Sequence, residues 1–189
     1  MKHWFILSIF TIALVGHTNI AQSSPNQDSE SASRIVVQGK NLSLNGSGER
    51  SKFFTKVYVA SLYLSNKSKN PEAIINADEP QLMRLKITSS LITPSLLNSS
   101  IKDGLKLSAG DDYDRYASML DEVMMKNEVP VNINDQFDFF YLPGGGTYIS
   151  RNGEELGVVP SYRFKQILFG IWLGKSPIQK DLKRSLLES

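Results

Sequence analysis

Apolar residues recur along this chain with two different periods, and the change from one to the other predicts where strands and helices fall. Short runs at residues 35–38 and 42–44 have the composition of strands, and Asn45-Gly46 followed by Gly48 predicts a turn after them. Residues 53–64 carry the strongest strand signal, being rich in aromatic and β-branched side chains. Val57, Val59 and Tyr63 fall on one side of that run, and Tyr58, Ala60, Leu62 and Leu64 on the other. Both faces are therefore expected to be covered, as in a central strand. Residues 82–88 alternate apolar and polar. Residues 137–142, 146–150 and 155–159 predict two successive hairpins, with Pro143-Gly144-Gly145-Gly146 and Arg151-Asn152-Gly153 as their turns.

The three-and-four period marks the helices. A short one is expected over residues 71–77. Thr93 and Pro94 open the next as N-cap and first helical residue, with Leu96, Leu97, Ile101 and Leu105 as its stripe. Asp111 or Asp112 opens a third, striped by Tyr113, Tyr116, Ala117, Leu120 and Met124. Ser161 caps a fourth carrying Phe164, Ile167, Leu168 and Ile171, and Ser176-Pro177 opens the last. Runs of strand and helix without strict alternation predict an α+β domain, a mainly antiparallel sheet with helices on one face.

The first residues change the picture of where this domain works. Lys2, an apolar run from Trp4 to Val15, and small residues around Ala21 and Ser23 form the pattern of a cleaved secretory leader over residues 1–23. The run is too short for a spanning helix, which needs roughly 20 apolar residues. Residues 24–33 are polar throughout and read as a flexible tether, leaving residues 34–189 as one domain. Removing Lys2 with the leader leaves 20 basic against 19 acidic side chains, a balance that gives no electrostatic case for nucleic acid. The chain has no cysteine, and its two histidines, His3 and His17, both lie in the leader. The processed protein therefore lacks the residues for a histidine triad, a cysteine nucleophile or the usual zinc and copper sets, and no cofactor or metal is expected.

The glycine run at 143–146 is followed by Thr147-Tyr148-Ile149, not by the lysine and helix that a phosphate loop requires, so a hairpin turn is expected there. The aromatic stretch from Phe164 to Trp172 is expected to pack in the core.

Two stretches taken together are more specific. Leu44-Asn-Gly-Ser-Gly-Glu-Arg50, running through Lys52-Phe-Phe-Thr-Lys-Val-Tyr-Val-Ala-Ser-Leu-Tyr-Leu64, resembles the opening of the chalcone isomerase-like family. Pro143-Gly-Gly-Gly-Thr147, Asn152-Gly153 and Phe169-Gly-Ile-Trp-Leu-Gly174 are similar to its exported bacterial branch. The resemblance implies an open-faced β-sandwich with a cleft between sheet and helices, and a periplasmic or secreted protein. Plant members close a chalcone to a flavanone, and related members without that activity bind fatty acids in the same cleft. In both, an arginine after the glycine turn meets an anionic group of the ligand, and by resemblance that arginine is Arg50. Tyr58 stands where the plant enzymes carry a threonine, and Leu96 or Leu97 where they carry a catalytic tyrosine.

These departures favour a non-catalytic binder of a hydrophobic, carboxylate-bearing molecule of the fatty-acid kind, with Arg50 and Tyr58 as the ligand-binding residues. The alternative is an isomerase of the chalcone–flavanone type, an intramolecular lyase, in which Arg50 stabilises an enolate and Tyr58 donates a hydrogen bond. A third class, a structural or partner-binding envelope protein, has only the tether to suggest it. Along one extended strand Arg50 and Tyr58 would stand about 26 Å apart, so they share a site only if the chain pairs back between them.

Overall fold

The computed structural model describes residues 32–52, 54–124 and 130–188. The leader expected at 1–23 lies outside the described residues, as does all but the end of the tether. Seven strands, β1 (Arg34–Val37), β2 (Lys40–Lys52), β3 (Thr55–Leu64), β4 (Gln81–Ile87), β5 (Gln136–Leu142), β6 (Gly146–Arg151) and β7 (Glu154–Val159), form one sheet. Each pairs antiparallel with its neighbours in sequence, in the order β1 to β7. Five helices accompany it among the described residues: α1 (Pro71–Asn76), α2 (Pro94–Ala109), α3 (Tyr113–Met124), α4 (Tyr162–Leu173) and α5 (Lys180–Leu186). This is the α+β, open-faced β-sandwich that the sequence predicts.

The helices close over one face of the sheet. Ala60, Leu62, Met83, Leu85, Phe139 and Ile149 project from the strands into a single core with Leu97, Leu105, Leu120, Phe164, Leu168 and Trp172 from the helices. Fully burying one such side chain is worth roughly 1.5–3 kcal/mol, so this layer holds a chain that has no disulfide. The other face carries a smaller cluster of Leu42, Tyr63, Leu82 and Phe140. The alternation expected along β3 thus divides its side chains between two buried environments.

Helix starts follow local chemistry. Asn70 Oδ1 accepts from the Glu72 and Ala73 amides, Thr93 caps α2 with Pro94 behind it, and Ser161 Oγ accepts from Phe164 N. α2 passes through one 3₁₀ turn, Gly110–Asp112, directly into α3. Ser176-Pro177 does not open α5, which begins three residues beyond that pair at Lys180 with Gln179 as its N-cap.

The expected turn at Asn45-Gly46 and Gly48 is absent. β2 runs through it as one strand, with Asn45 as a bulged extra residue between Leu44 and Gly46. Those glycines serve close approach. A Cβ on Gly46 would stand 2.2 Å from the Ser185 carbonyl oxygen, and one on Gly48 2.7 Å from Ser185 Cβ. Asn45 fixes the same contact, donating to the carbonyls of Ser68 and Leu186 at 3.0 and 2.9 Å. The reversal falls instead between Lys52 and Thr55, inside what the sequence predicts as the strongest strand. Lys52 pairs with Thr55, so the loop has two residues.

The glycine run does form a hairpin turn. Gly145 N donates to Leu142 O, and Gly144 has a φ of 76° that suits glycine. Asn152 and Gly153, with φ of 52° and 84°, turn the next hairpin.

Candidate functional site

The β2–β3 hairpin decides what becomes of Arg50 and Tyr58. Its register sets them directly opposite each other, Arg50 against Tyr58 and Ser51 against Lys56. Val57 is left as the extra residue of a bulge. That bulge moves Val57 off the side it was expected to share with Val59 and Tyr63, and it packs against the helical core instead. The chain pairs back between the two candidate residues, and the 26 Å of an extended strand collapses to one cross-strand step.

The two side chains nonetheless meet different surroundings. Arg50 is half-buried and lines a cleft of about 230 Å³ between the hairpin and the chain leading into α2. Lys52, Thr55 and Val57 continue this wall from the hairpin; Leu91, Ile92 and Leu96 face them from the other side. Ser89 and Ser100 are the remaining lining residues, so the cleft has two cations, three hydroxyls and no carboxylate. Of the two leucines expected in place of a catalytic tyrosine, Leu96 faces Arg50. Leu97 is buried and lines a different cleft.

Tyr58 is 3% exposed and is not among the lining residues. Its hydroxyl accepts from Trp172 Nε1 at 3.1 Å. Burial pushes its pKa up, and this outweighs the opposing effects of the Trp172 hydrogen bond and the Arg50 guanidinium. Tyr58 is therefore a neutral hydroxyl behind the arginine.

Arg50 is aimed by α5. Nη1 donates to Gln179 Oε1 at 3.0 Å and to the Ser51 carbonyl. Gln179 Oε1 also accepts from Ser51 N at 3.0 Å, and its amide donates to Glu49 O. Arg50 Nε is enclosed with no acceptor bonded to it. A guanidinium has five N–H donors in a planar fork, and those held by Gln179 and Ser51 fix its plane while leaving donor capacity for an anion. Sequence reading missed Gln179 altogether. Its partners lie some 130 residues away, and no local motif marks it.

A second cleft of about 320 Å³ opens on the other side of the α2 start, lined by Leu97, Met124, Asp135, Phe137, Arg151 and Glu154 among others. Its central charges are already paired. Asp135 accepts from Asn132 N, Asn152 Nδ2 and Arg151 Nη2 at 2.7, 2.7 and 2.5 Å. Burial pushes the Asp135 pKa up, but these three donors together hold it below the usual carboxylate range. That knot ties the start of β5 to the β6–β7 turn. Among the described residues no cluster of histidine, cysteine or carboxylate side chains is placed to hold a metal. No helix among them is long and apolar enough to cross a membrane.

An antiparallel sheet under one helical layer is the architecture implied by the sequence resemblance. The sequence model of the chalcone isomerase-like family matches residues 25–188, and the chain belongs to that family. No curated protein matches it. Among solved structures, a fatty-acid binding protein of Arabidopsis thaliana shares the fold with a TM-score of 0.64 and 16% identity, over 82% of this chain and 96% of that one.

Proposed function

We propose that this protein is an exported, non-catalytic binder of an apolar molecule bearing a carboxylate, of fatty-acid type. The observation that carries this reading is the placement of Arg50 in the wall of a mainly aliphatic cleft that contains no acidic side chain. The carboxylate pairs with the guanidinium, and the chain lies against Val57, Ile92 and Leu96. Burying those groups with the ligand strengthens the ion pair, since the local dielectric falls. The name of the Arabidopsis neighbour supports the same class of ligand, and the leader pattern supports action outside the cytoplasm.

The size of the cleft narrows the reading. Sites for drug-sized ligands hold roughly 300–1,000 Å³, and this one is smaller. It suits a short-chain acid or the head end of a longer one. The isomerase alternative assigns its donor to Tyr58, which is not among the lining residues; the hydroxyls that do line the cleft are Thr55, Ser89 and Ser100.

Titration with decanoate, followed by displacement of a fluorescent fatty acid, tests the proposal. Arg50→Gln is expected to weaken binding by about 10- to 100-fold, the worth of a charge-assisted hydrogen-bonded pair. Equal affinity in the variant and the parent would overturn it. A chalcone whose absorbance decays faster with protein than in buffer, and no faster in Arg50→Gln, would favour the isomerase instead.

A further inference from the structure

The hairpin that carries Arg50 ends in a residue that folding does not explain. Phe54 has a φ of 65°, a left-handed conformation that asparagine or glycine adopts far more readily. Its exposure is 107%, so the ring gains nothing from burial. An aromatic residue in a strained turn with no internal contact points to a function. Leu91, 67% exposed, and Leu96, 38% exposed, lie on the opposite lip of the same cleft. Phe54 itself sits at the hairpin tip, between the lining residues Lys52 and Thr55.

Charge around them is one-sided. Residues 49–56 contain Arg50, Lys52 and Lys56 against the single carboxylate of Glu49, with which Lys56 pairs at 2.7 Å, so this stretch keeps a surplus of two positive charges, and residues 88–96 contain no charged side chain. An exposed phenyl ring beside lysines is the composition of segments that enter the interface of an anionic bilayer, the ring at headgroup depth and the cations near lipid phosphates.

From this we infer that the mouth of the cleft docks on an anionic membrane surface, with Phe54 entering the interface, and that cargo is taken directly from the bilayer. The inference rests on the fatty-acid reading for its cargo, though the docking itself does not. It also accounts for the cleft's size. An acid at a bilayer surface presents its carboxylate first, so the head is drawn in to Arg50 while the rest of the chain continues past Leu91 and Leu96 into the lipid.

The processed protein should co-sediment with vesicles of phosphatidylglycerol and phosphatidylcholine, and release as salt rises. It should bind pure phosphatidylcholine vesicles at least tenfold more weakly. Phe54→Asn, which suits the backbone conformation, is expected to fold normally and keep its affinity for decanoate in vesicle-free buffer. Its partition onto anionic vesicles should fall by about tenfold. Indifference of the parent protein to lipid charge, or parent-like vesicle binding by Phe54→Asn, would overturn the inference. So would concentration-dependent dimerisation in sedimentation velocity that Phe54→Asn abolishes, since a second copy would then be the occupant. Failure of the parent protein to bind decanoate, with Phe54-dependent vesicle binding intact, would remove the cargo reading and leave the docking surface standing.

Discussion

Arg50 and Tyr58 are cross-strand partners of one hairpin, the first lining a cleft and the second buried behind it with its hydroxyl on Trp172. This division of labour predicts two different mutational outcomes. Arg50→Gln acts on ligand affinity and leaves the Tyr58–Trp172 hydrogen bond in place. Tyr58→Phe keeps the ring but leaves Trp172 Nε1 without its acceptor in the core, which costs about 1–2 kcal/mol. Thermal unfolding should show a lower Tm for Tyr58→Phe, with decanoate affinity within about threefold of the parent. A loss in Tyr58→Phe as large as that in Arg50→Gln would mean the hydroxyl touches the ligand.

How much of this was legible in the sequence depends on the range of the interaction. Helix caps at Thr93 and Ser161 and the turns at Gly144 and Asn152-Gly153 are decided within four residues, and the local pattern shows them. The class of fold and the two buried faces of β3 follow from periodicity. The β2–β3 reversal was misplaced because Asn45-Gly46 and Gly48 form the sequence of a turn, while Phe53-Phe54 does not. The glycines answer instead to α5, some 140 residues further on. The clamp on Arg50 by Gln179 was unreadable for the same reason.

Those glycines make a sharp test. The Cβ of Gly46→Ala would meet backbone atoms of Ser185 and Leu186 at 2.2–2.6 Å, which no side-chain rotation relieves. We expect a loss of about 2–4 kcal/mol in denaturant unfolding. Because α5 carries Gln179, decanoate affinity should fall with it. Gly39→Ala supplies the contrast. That position has a φ of 73° and open space around it, so only the backbone preference is lost, about 1 kcal/mol, and the cleft is unaffected.

Asp135 governs part of the acid limb of stability. Its pKa is held below that of a free carboxylate, so its contribution is present above about pH 4 and is lost as pH falls through the lower folded value. Asp135→Asn should be less stable than the parent at pH 7 and should lose less on acidification between pH 4 and 2. Parallel pH–stability curves for the two proteins would show that Asp135 carries no such linkage.

Lys165 predicts the opposite limb. It is fully buried in α4, and its ammonium donates to the carbonyls of Ile74, Ile75 and Ala77 at 3.0, 2.9 and 2.6 Å, closing the end of α1. The rings of Tyr141, Tyr162 and Phe169 surround it at 5.4–5.7 Å from their centroids. Burial pushes its pKa down to about 8, against the weaker opposing pull of Asp78 and Glu79. An unfolded lysine keeps its proton to about pH 10.4, so above pH 8 the unfolded chain binds more protons than the folded one. Stability from this group therefore rises with pH between about 8 and 10, by at most about 1.4 kcal/mol per pH unit. Tyr141, whose hydroxyl donates to Asp78 and whose pKa is raised by burial and that bond, pulls the other way only as free tyrosine ionises near pH 10. Lys165→Met should be less stable at neutral pH, because the carbonyls of Ile75 and Ala77 lose the ammonium's hydrogen bonds, whereas Ile74 O keeps the one from Gln81 Nε2 at 2.8 Å. Between pH 8 and 9.5 its stability should lack the upward slope of the parent. A parent protein whose stability relative to Lys165→Met stays constant across that interval would show that the lysine does not titrate there.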